Sequence, residues 1–290
     1  MIDDIFRFRR FSRAVTTEVG ALDTSFLGRG RPLGAARVVN AIGHGRGDVA
    51  AIRAYLGLDS GLMSRLLRSL EEEGLVTVDA DEEDGRRRRA RLTGKGEAEF
   101  AEYERLSDER AREILSRHAR PDALLAAMDL IASALGKEGW DMCEMDPRDP
   151  ASVHCLEQYY AELNSRFDTG FDVTLSADPD AEDMLAPRGC FLVCFSDGLP
   201  IGCVGLKGTD KGYAEIKRLW VSPAARGLGM AKRLMEDVEA RARGLGISLL
   251  RLDTNSRLPE AVKLYQTSGW TEIDRFNDDP YPDHFFEKAL

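Results

Sequence analysis

The sequence lacks any long uninterrupted apolar run: no stretch approaches the ~20 residues that a membrane-spanning helix requires. Its first residues also lack the basic stretch and apolar segment that mark a secretory signal. Histidine is scarce, with four residues, and the five cysteines all lie in the second half, without metal-ligand pairing or a disulfide framework. We therefore expect a protein of the reducing cytoplasm with no metal site.

An excess of basic residues is also missing, because the formal net charge is −10. The average hides an uneven distribution: residues 1–139 carry 23 Lys and Arg against 24 Asp and Glu, whereas residues 140–290 carry 17 against 26. Five arginines crowd together between residues 86 and 91. Local clustering sets the field that a phosphate backbone experiences, so the net charge does not exclude nucleic acid as a partner.

The length of 290 residues and the apolar content of 43% predict two domains, each with its own core. We place their boundary at 139/140, where Gly136, Gly139 and Pro147 mark a change in composition. Residues 1–139 are mostly helical in pattern, interrupted by one predicted β-hairpin. Residues 140–290 mix strand and helix patterns, which predicts an α/β domain.

The predicted helices of the first domain cover about 2–22, 33–43, 48–56, 60–73, 94–117 and 121–135, and its hairpin covers 75–78 and 87–92. The second domain has predicted helices at 150–166, 229–243 and 258–268, and strands at 190–196, 200–207, 213–221, 248–253, 270–276 and 284–289.

In the first domain, residues 49–60 have the pattern of a helix, a glycine turn and the start of a second helix, with Asp59 or Ser60 as its N-cap. The second helix has an apolar stripe on one face. The opposite face carries Ser60, Gly61, Ser64, Arg65 and Arg68. Small polar residues at a helix start permit close approach to a major groove, and arginines meet base edges or phosphates there.

Residues 66–76, 84–86 and 92–96 resemble the MarR family of winged helix-turn-helix regulators, and the likeness extends over about 1–136. The resemblance implies that residues 60–68 read the major groove of double-stranded DNA. It also implies that Arg86 enters the minor groove from the tip of the wing, oriented by Asp84, with Arg88 on the same hairpin. The family forms dimers through its terminal helices, which implies a homodimer here. A solvated surface hairpin is the alternative interpretation of the arginine cluster.

In the second domain, a predicted strand at 213–221 leads into a turn with the pattern Arg226-x-x-Gly229-x-Ala231, and a helix follows at once. Such a turn presents free backbone N–H groups at the positive end of the helix dipole. Small residues allow a pyrophosphate to approach those groups closely. The Gly-x-Gly-x-x-Gly pattern of dinucleotide sites is absent, and taken alone the turn could be an ordinary β–α connection.

The run from 200 to 276 resembles the GNAT superfamily of N-acetyltransferases, and the likeness extends across about 140–290. The resemblance implies a mixed central sheet and acetyl-CoA as cosubstrate. It implies that backbone groups of Leu219 and Val221, which flank Trp220, pair with the pantetheine arm, and that Asn255 contacts the cofactor where the two central strands diverge. The pyrophosphate would be held, mainly by main chain, by Arg226, Gly227, Leu228, Gly229, Met230 and Ala231.

The same resemblance suggests two catalytic side chains. Tyr265 is the expected general acid, which returns a proton to the departing thiolate of coenzyme A; a tyrosine that simply packs on the last helix is the alternative. Glu215 is the candidate general base that deprotonates the acceptor amine. A strand-edge ion pair with Lys217 or Arg218 is an equally acceptable interpretation of Glu215.

These patterns favour a dimeric MarR-like regulator joined to an enzyme that transfers acetyl to a primary amine. Two alternatives remain open: a regulator whose second domain only senses acetyl-CoA, and an acetyltransferase whose first domain serves only dimerisation. We expect acceptor specificity in residues 168–189 and 276–283. The acidic content of both segments suggests a cationic acceptor, such as an amino acid, a polyamine or a peptide lysine.

Overall fold

The computed structural model describes residues 3–81, 84–136, 139–168, 170–175 and 182–290. The chain divides into two compact units, Met1–Pro121 and Asp122–Leu290. The sequence pattern places the boundary near 139/140, and one helix, Pro121–Gly136, occupies the interval between the two positions. Part of the expected specificity segment at 168–189, namely residues 169 and 176–181, lies outside the described residues.

The first unit consists of helices and one small hairpin, as the sequence predicts. Its helices are α1 (Asp4–Glu18), α2 (Leu33–Gly43), α3 (Val49–Tyr55), α4 (Ser60–Glu72) and α5 (Gly94–Ser116), and the strands are β1 (Val76–Ala80) and β2 (Arg88–Leu92). Asp59 is the N-cap of α4 and accepts a hydrogen bond from the backbone N–H of Leu62 at 2.8 Å. Helix α1 ends four residues before the predicted end, and a turn follows in which Gly20 has a φ of +64°.

The core of the first unit lies under α2, α4 and the hairpin, where Val38, Val39, Leu67 and Leu70 are almost fully buried. Beneath the hairpin, Gly96 permits close packing, since a Cβ atom there would lie 1.9 Å from the carbonyl oxygen of Leu75. These contacts fix α4 and the hairpin relative to each other, and their outer surfaces face solvent.

The second unit is built on a seven-stranded mixed sheet. Its strands are β3 (Trp140–Glu144), β4 (Cys190–Ser196), β5 (Leu199–Gly208), β6 (Ala214–Val221), β7 (Leu249–Thr254), β8 (Thr271–Glu272) and β9 (His284–Ala289). Their order is β3-β4-β5-β6-β7-β9-β8, and β6 and β7 form the parallel pair. The remaining helices are α6 (Pro121–Gly136), α7 (Pro150–Arg166), α8 (Met230–Gly244) and α9 (Pro259–Thr267). Buried side chains of α8, such as Leu234 and Val238, pack on the sheet and build the larger core.

Two elements differ from the sequence-based expectation. The segment at 140–145, which has no assigned type from its pattern, forms the edge strand β3 and pairs antiparallel with β4. The predicted strand at 270–276 is wrong in length, because only Thr271 and Glu272 pair with β9. Beyond them Arg275 donates hydrogen bonds to the carbonyl oxygens of Asp279 and Pro282, which closes residues 275–282 into a loop. Within the described parts of the chain, no helix is long and apolar enough to cross a membrane.

Candidate functional site

The turn between β6 and α8 provides an open cradle of backbone N–H groups. Gly227 and Gly229 have φ values of +75° and +92°, a left-handed conformation that glycine adopts at little cost. Gly229 is the N-cap of α8, and a Cβ atom built on either glycine meets nothing within 4 Å. Because the first N–H groups of a helix have no partner within the helix, they point into this open space. The turn can therefore accept an anion such as a pyrophosphate.

The Arg226 side chain is turned back into the protein. Its Nε donates to the carbonyl oxygen of Val221 at 3.0 Å, and its guanidinium also pairs with Glu162 of α7. The arginine thus fixes the shape of the turn through these bonds. A cleft of about 360 Å³ lies beside the turn. It is lined by Leu219, Trp220 and Val221 together with most residues of the turn. Its lining includes Arg226, Gly227, Gly229, Met230 and Ala231, but Leu228 is not among these residues.

The two central strands separate beside this cleft. The parallel register of β6 and β7 comprises three pairs and ends at Ile216↔Leu252. On its other edge β6 stays paired with β5 as far as Gly202↔Val221. The edge of β6 that faces β7 is therefore open from Lys217 onward, and an extended ligand can lie along it as an added strand does.

Asn255 follows β7 and holds a loop in this structure. Its Nδ2 donates to the carbonyl oxygen of Tyr281 at 2.6 Å, and its Oδ1 accepts from the N–H of Arg257 at 2.8 Å. The first bond ties the 275–282 loop to the end of β7, and the second lies within the turn that follows β7. The expected contact with a cofactor remains a prediction.

Tyr265 lies on α9 and is 5% exposed. Its ring packs against Trp270 and Phe286, with centroids 6.1 and 5.6 Å apart, so the residue also belongs to the core. It lines a second cavity in the opening between β6 and β7. Burial and the negative charge of Asp253 both raise the pKa of the Tyr265 phenol well above its usual value. The phenol carries its proton at neutral pH, as an unperturbed tyrosine also does.

Glu215 is buried in an ion pair, in agreement with the structural alternative from the sequence. The Nζ of Lys217 lies 3.1 Å from Glu215 Oε2 and 2.6 Å from Asp253 Oδ2. Burial alone would lower the pKa of the Lys217 ammonium, but the two carboxylates outweigh it and the pKa is raised. Asn277 Nδ2 also donates to Asp253 at 2.6 Å. Of the two carboxylates, Asp253 lines the second cavity, whereas Glu215 is not among its lining residues.

Asp253 and the aromatic wall of the second cavity are functional features that the sequence pattern did not indicate. Its rings come from α7 and from two loops: Tyr159, Tyr160, Phe167, Phe171 and Tyr281. The position of Asp253 could have been found, because Leu250 and Leu252 are buried on one face of β7 and Asp253 must lie on the other. The complete wall could not, since Tyr281 is more than 100 residues away from the other four rings and meets them only in the folded chain.

In the first unit, the predicted DNA-contacting residues of α4 lie together on an exposed face. Ser60, Gly61, Ser64, Arg65 and Arg68 are all exposed, while Met63, Leu66, Leu67 and Leu70 are buried.

On the wing, Asp84, Arg86 and Arg88 are exposed as well. The Asp84 carboxylate accepts the backbone N–H of Arg86 at 3.1 Å, and its ion-pair partner is Arg87 at 3.6 Å. Asp84 thus fixes the Arg86 backbone, and among the described residues no ion pair holds the Arg86 guanidinium.

Comparison with known proteins matches both units to families. Residues 156–270 match the acetyltransferase (GNAT) family, and residues 29–87 match the MarR family. The IAA acetyltransferase of Azospirillum brasilense is 36% identical over 116 residues, which are 38% of this chain and 74% of that protein. The uncharacterized N-acetyltransferase YjgM of Escherichia coli K12 is 30% identical over 133 residues, 43% of this chain and 78% of that protein. A solved GNAT acetyltransferase of Staphylococcus aureus Mu50 is 20% identical and covers 52% of this chain and 99% of its own, with a TM-score of 0.47.

The chain therefore belongs to the GNAT acetyltransferase family, and a MarR-type region precedes its catalytic domain. It is an acetyl-CoA-dependent N-acetyltransferase. The open glycine turn at the start of α8 fits the pyrophosphate of acetyl-CoA, and the open edge of β6 fits its pantetheine arm.

Proposed function

We propose that this protein transfers acetyl from acetyl-CoA to a primary amine, and that the same chain binds duplex DNA as a homodimer. One observation carries the enzymatic half. The cleft at the glycine turn and the cavity at Tyr265 meet in the opening between β6 and β7, where Tyr159, Leu219 and Ala261 line both. A thioester seated along β6 would thus face Tyr265 on one side and the acceptor on the other.

The bound cosubstrate supplies an acetyl thioester, whose C–S bond breaks as the amine nitrogen forms the new C–N bond. Tyr265 donates its phenolic proton to the leaving sulfur, which leaves as a thiol, and the proton that the nitrogen loses as the amide forms restores the phenol. The acceptor enters as an ammonium and must lose a proton before its nitrogen can attack. The carboxylates of Asp253 and Glu215, bridged by Lys217, are candidate bases beside the cavity, and Asp279 also lines it. Since Asp253 lines the cavity, we assign it the contact with the amine and Glu215 a supporting position behind Lys217.

The DNA-binding half rests on the exposed faces of α4 and the wing. Arg65 and Arg68 lie on the outer face of α4, suited to the major groove, and Arg86 lies at the tip of the hairpin, suited to a narrow minor groove. Helix α1 supports dimerisation, because a set of large apolar side chains on it remains exposed. These are Ile5, Phe6, Phe8, Phe11 and Val15. A second copy of the chain would cover these side chains.

We also propose that the protein works in the cytoplasm, where acetyl-CoA and DNA are both available.

A domain that only senses acetyl-CoA would bind the cosubstrate without turning it over. Release of coenzyme A, followed with a thiol reagent, separates the two functions. We expect release that depends on an added primary amine and that saturates with its concentration. Tight acetyl-CoA binding with no amine-dependent release, across aliphatic and aromatic amines, would contradict the enzymatic proposal and favour the sensor. Electrophoretic or fluorescence titration of a duplex with the same preparation tests the DNA-binding half independently.

A further inference from the structure

The cavity beside Tyr265 has a wall of aromatic rings that pack on one another. Phe171 lies 4.8 Å from Tyr281 and 5.7 Å from Tyr160 between ring centroids, and the Tyr160 and Phe171 planes are only 19° apart. Phe167 stacks on Tyr281 at 5.8 Å. All four rings are half-buried, so each has a remaining surface that another apolar group can cover. Aromatic rings gain additional energy from stacked or edge-on partners, beyond area burial.

Two cations and two carboxylates line the cavity: Lys217 and Arg218, and Asp253 and Asp279. Glu215 does not line it but pairs with Lys217 from behind. Counting Glu215, three carboxylates share two cations around this cavity. The side chains of Asp253 and Glu215 are only 9% and 6% exposed. Buried carboxylates need a compensating cation, and an ammonium on the ligand would supply it.

The size of the cavity limits the ligand that it can take. Its volume is about 110 Å³, somewhat smaller than the roughly 150 Å³ of an engineered protein cavity that binds benzene. One ring-sized group therefore fills the enclosed part. A long flexible polyamine would compensate the carboxylates but would leave the aromatic rings uncovered. A lysine within a folded protein is attached to a backbone that is too bulky for a cavity of this size.

We propose that this cavity takes a compact primary amine carried on an aromatic ring. The ring lies among Tyr160, Phe171 and Tyr281, and the ammonium lies at Asp253, within reach of the thioester. The proposal rests on the proposed amine acetylation and specifies its acceptor.

The first experiment compares acceptors of the two classes. We expect kcat/KM for 2-phenylethylamine to exceed that for putrescine by about tenfold or more, because only the former buries a ring. Phe171→Leu, which removes the aromatic ring at similar volume, should lower kcat/KM for 2-phenylethylamine by about 3- to 10-fold. Phe195→Leu is the matched control: Phe195 is a partly buried phenylalanine of β4 and is not among the residues that line this cavity.

The second experiment tests the position of the ammonium without turnover. Calorimetry on the protein loaded with coenzyme A compares 2-phenylethylamine with 2-phenylethanol, which has the same ring and no charge. We expect the amine to bind at least about tenfold more tightly, as a charge-assisted contact with a buried carboxylate implies. In Asp253→Asn the difference should disappear while the alcohol binds as before. If that variant fails to fold, the wild-type comparison of amine with alcohol remains decisive by itself.

The outcomes separate the two proposals. Acetylation of putrescine with equal or greater kcat/KM would overturn the aromatic acceptor and leave amine acetylation intact. Binding of 2-phenylethylamine in preference to the alcohol, without acetylation of any amine, would support the cavity assignment and contradict the proposed activity. If 2-phenylethylamine neither binds nor is acetylated, the inference is overturned.

Discussion

The two units present their functional side chains in opposite ways. In the first unit, the residues proposed to contact DNA are exposed on α4 and the wing, and Arg86 has no recorded ion pair among the described residues. In the second unit, Glu215 and Asp253 are largely buried, and each pairs with Lys217. A surface that binds a polyanion needs accessible cations. A site that moves protons needs groups removed from water and held by neighbours.

This difference predicts which functions can be removed without harm to the fold. An exposed arginine contributes little to stability, so its replacement should affect DNA binding alone. A member of the buried ion pairs contributes to both, because its loss leaves an uncompensated charge in the protein. The glycine turn lies between these extremes, since its backbone is exposed but its conformation is restricted.

The largest effect is expected for Gly229→Glu, which should weaken acetyl-CoA binding by at least about 100-fold. A carboxylate at this position would occupy the open space before α8 and repel the pyrophosphate. Calorimetry measures the affinity. Gly229→Ala is the control, because it carries the same strain at a φ of +92° but no charge, and it should retain most of the affinity. Equal binding by a folded Gly229→Glu variant would remove the turn from the site.

Tyr265→Phe should lower turnover by about 10²–10⁴-fold while the acetyl-CoA affinity stays unchanged, because only the proton donor is lost. Tyr159→Phe is a matched comparison: Tyr159 lines the same cavity, and burial and Asp253 also raise the pKa of its phenol. We expect Tyr159→Phe to retain more than a tenth of the wild-type turnover. A reversed order of the two variants would transfer the donor role to Tyr159.

Lys217→Met should reduce the free energy of unfolding by about 3–5 kcal/mol at pH 7, because two buried carboxylates would lose their shared cation. Lys232→Met, on the exposed surface of α8, should change it by less than about 0.5 kcal/mol. Urea denaturation followed by circular dichroism compares the two. Because the folded-state pKa of Lys217 is raised, its contribution is fully present below about pH 10, near the unfolded-state value, and declines as pH rises through the folded-state pKa. A small, pH-independent effect would show that the ion pairs are of little importance.

Arg86→Ala should have the smallest effect on stability and a specific effect on DNA. The free energy of unfolding should stay within about 0.5 kcal/mol of wild type. The dependence of log Kd on log salt should become shallower by about one phosphate contact per wing, two per dimer. Arg120→Ala is a suitable control because Arg120 is exposed and lies outside α4 and the wing. An unchanged salt dependence in Arg86→Ala would exclude Arg86 from the DNA contact.

Most of the fold could be predicted from the sequence, because helical periodicity and capping residues are local signals. Asp59, for example, caps α4 as the pattern indicates, and the apolar stripe of α4 is buried. The glycine turn before α8 is local as well, and its open geometry agrees with the sequence-based interpretation.

The acceptor side of the site could not be predicted in the same way. Glu215 stands out in the sequence by its position in a strand, and its ion pair with Lys217 is local. The second ion pair of Lys217, with Asp253, depends on the parallel register of β6 and β7. The aromatic wall depends on loops far apart in the chain. Asn255 shows a related limit: its place at the end of β7 is a local feature, whereas its bond to Tyr281 is not.

The central claim is that one chain combines a buried acetyl-transfer site with an exposed DNA-binding face. The most direct measurement is the affinity of the wild-type protein for a fluorescent duplex, taken from upstream of its own gene, over a series of salt concentrations. We predict binding that weakens linearly with log salt, with a slope that corresponds to several phosphate contacts. Absence of salt-dependent binding to any duplex at low ionic strength would contradict the claim, and the first unit would then serve only to dimerise the enzyme.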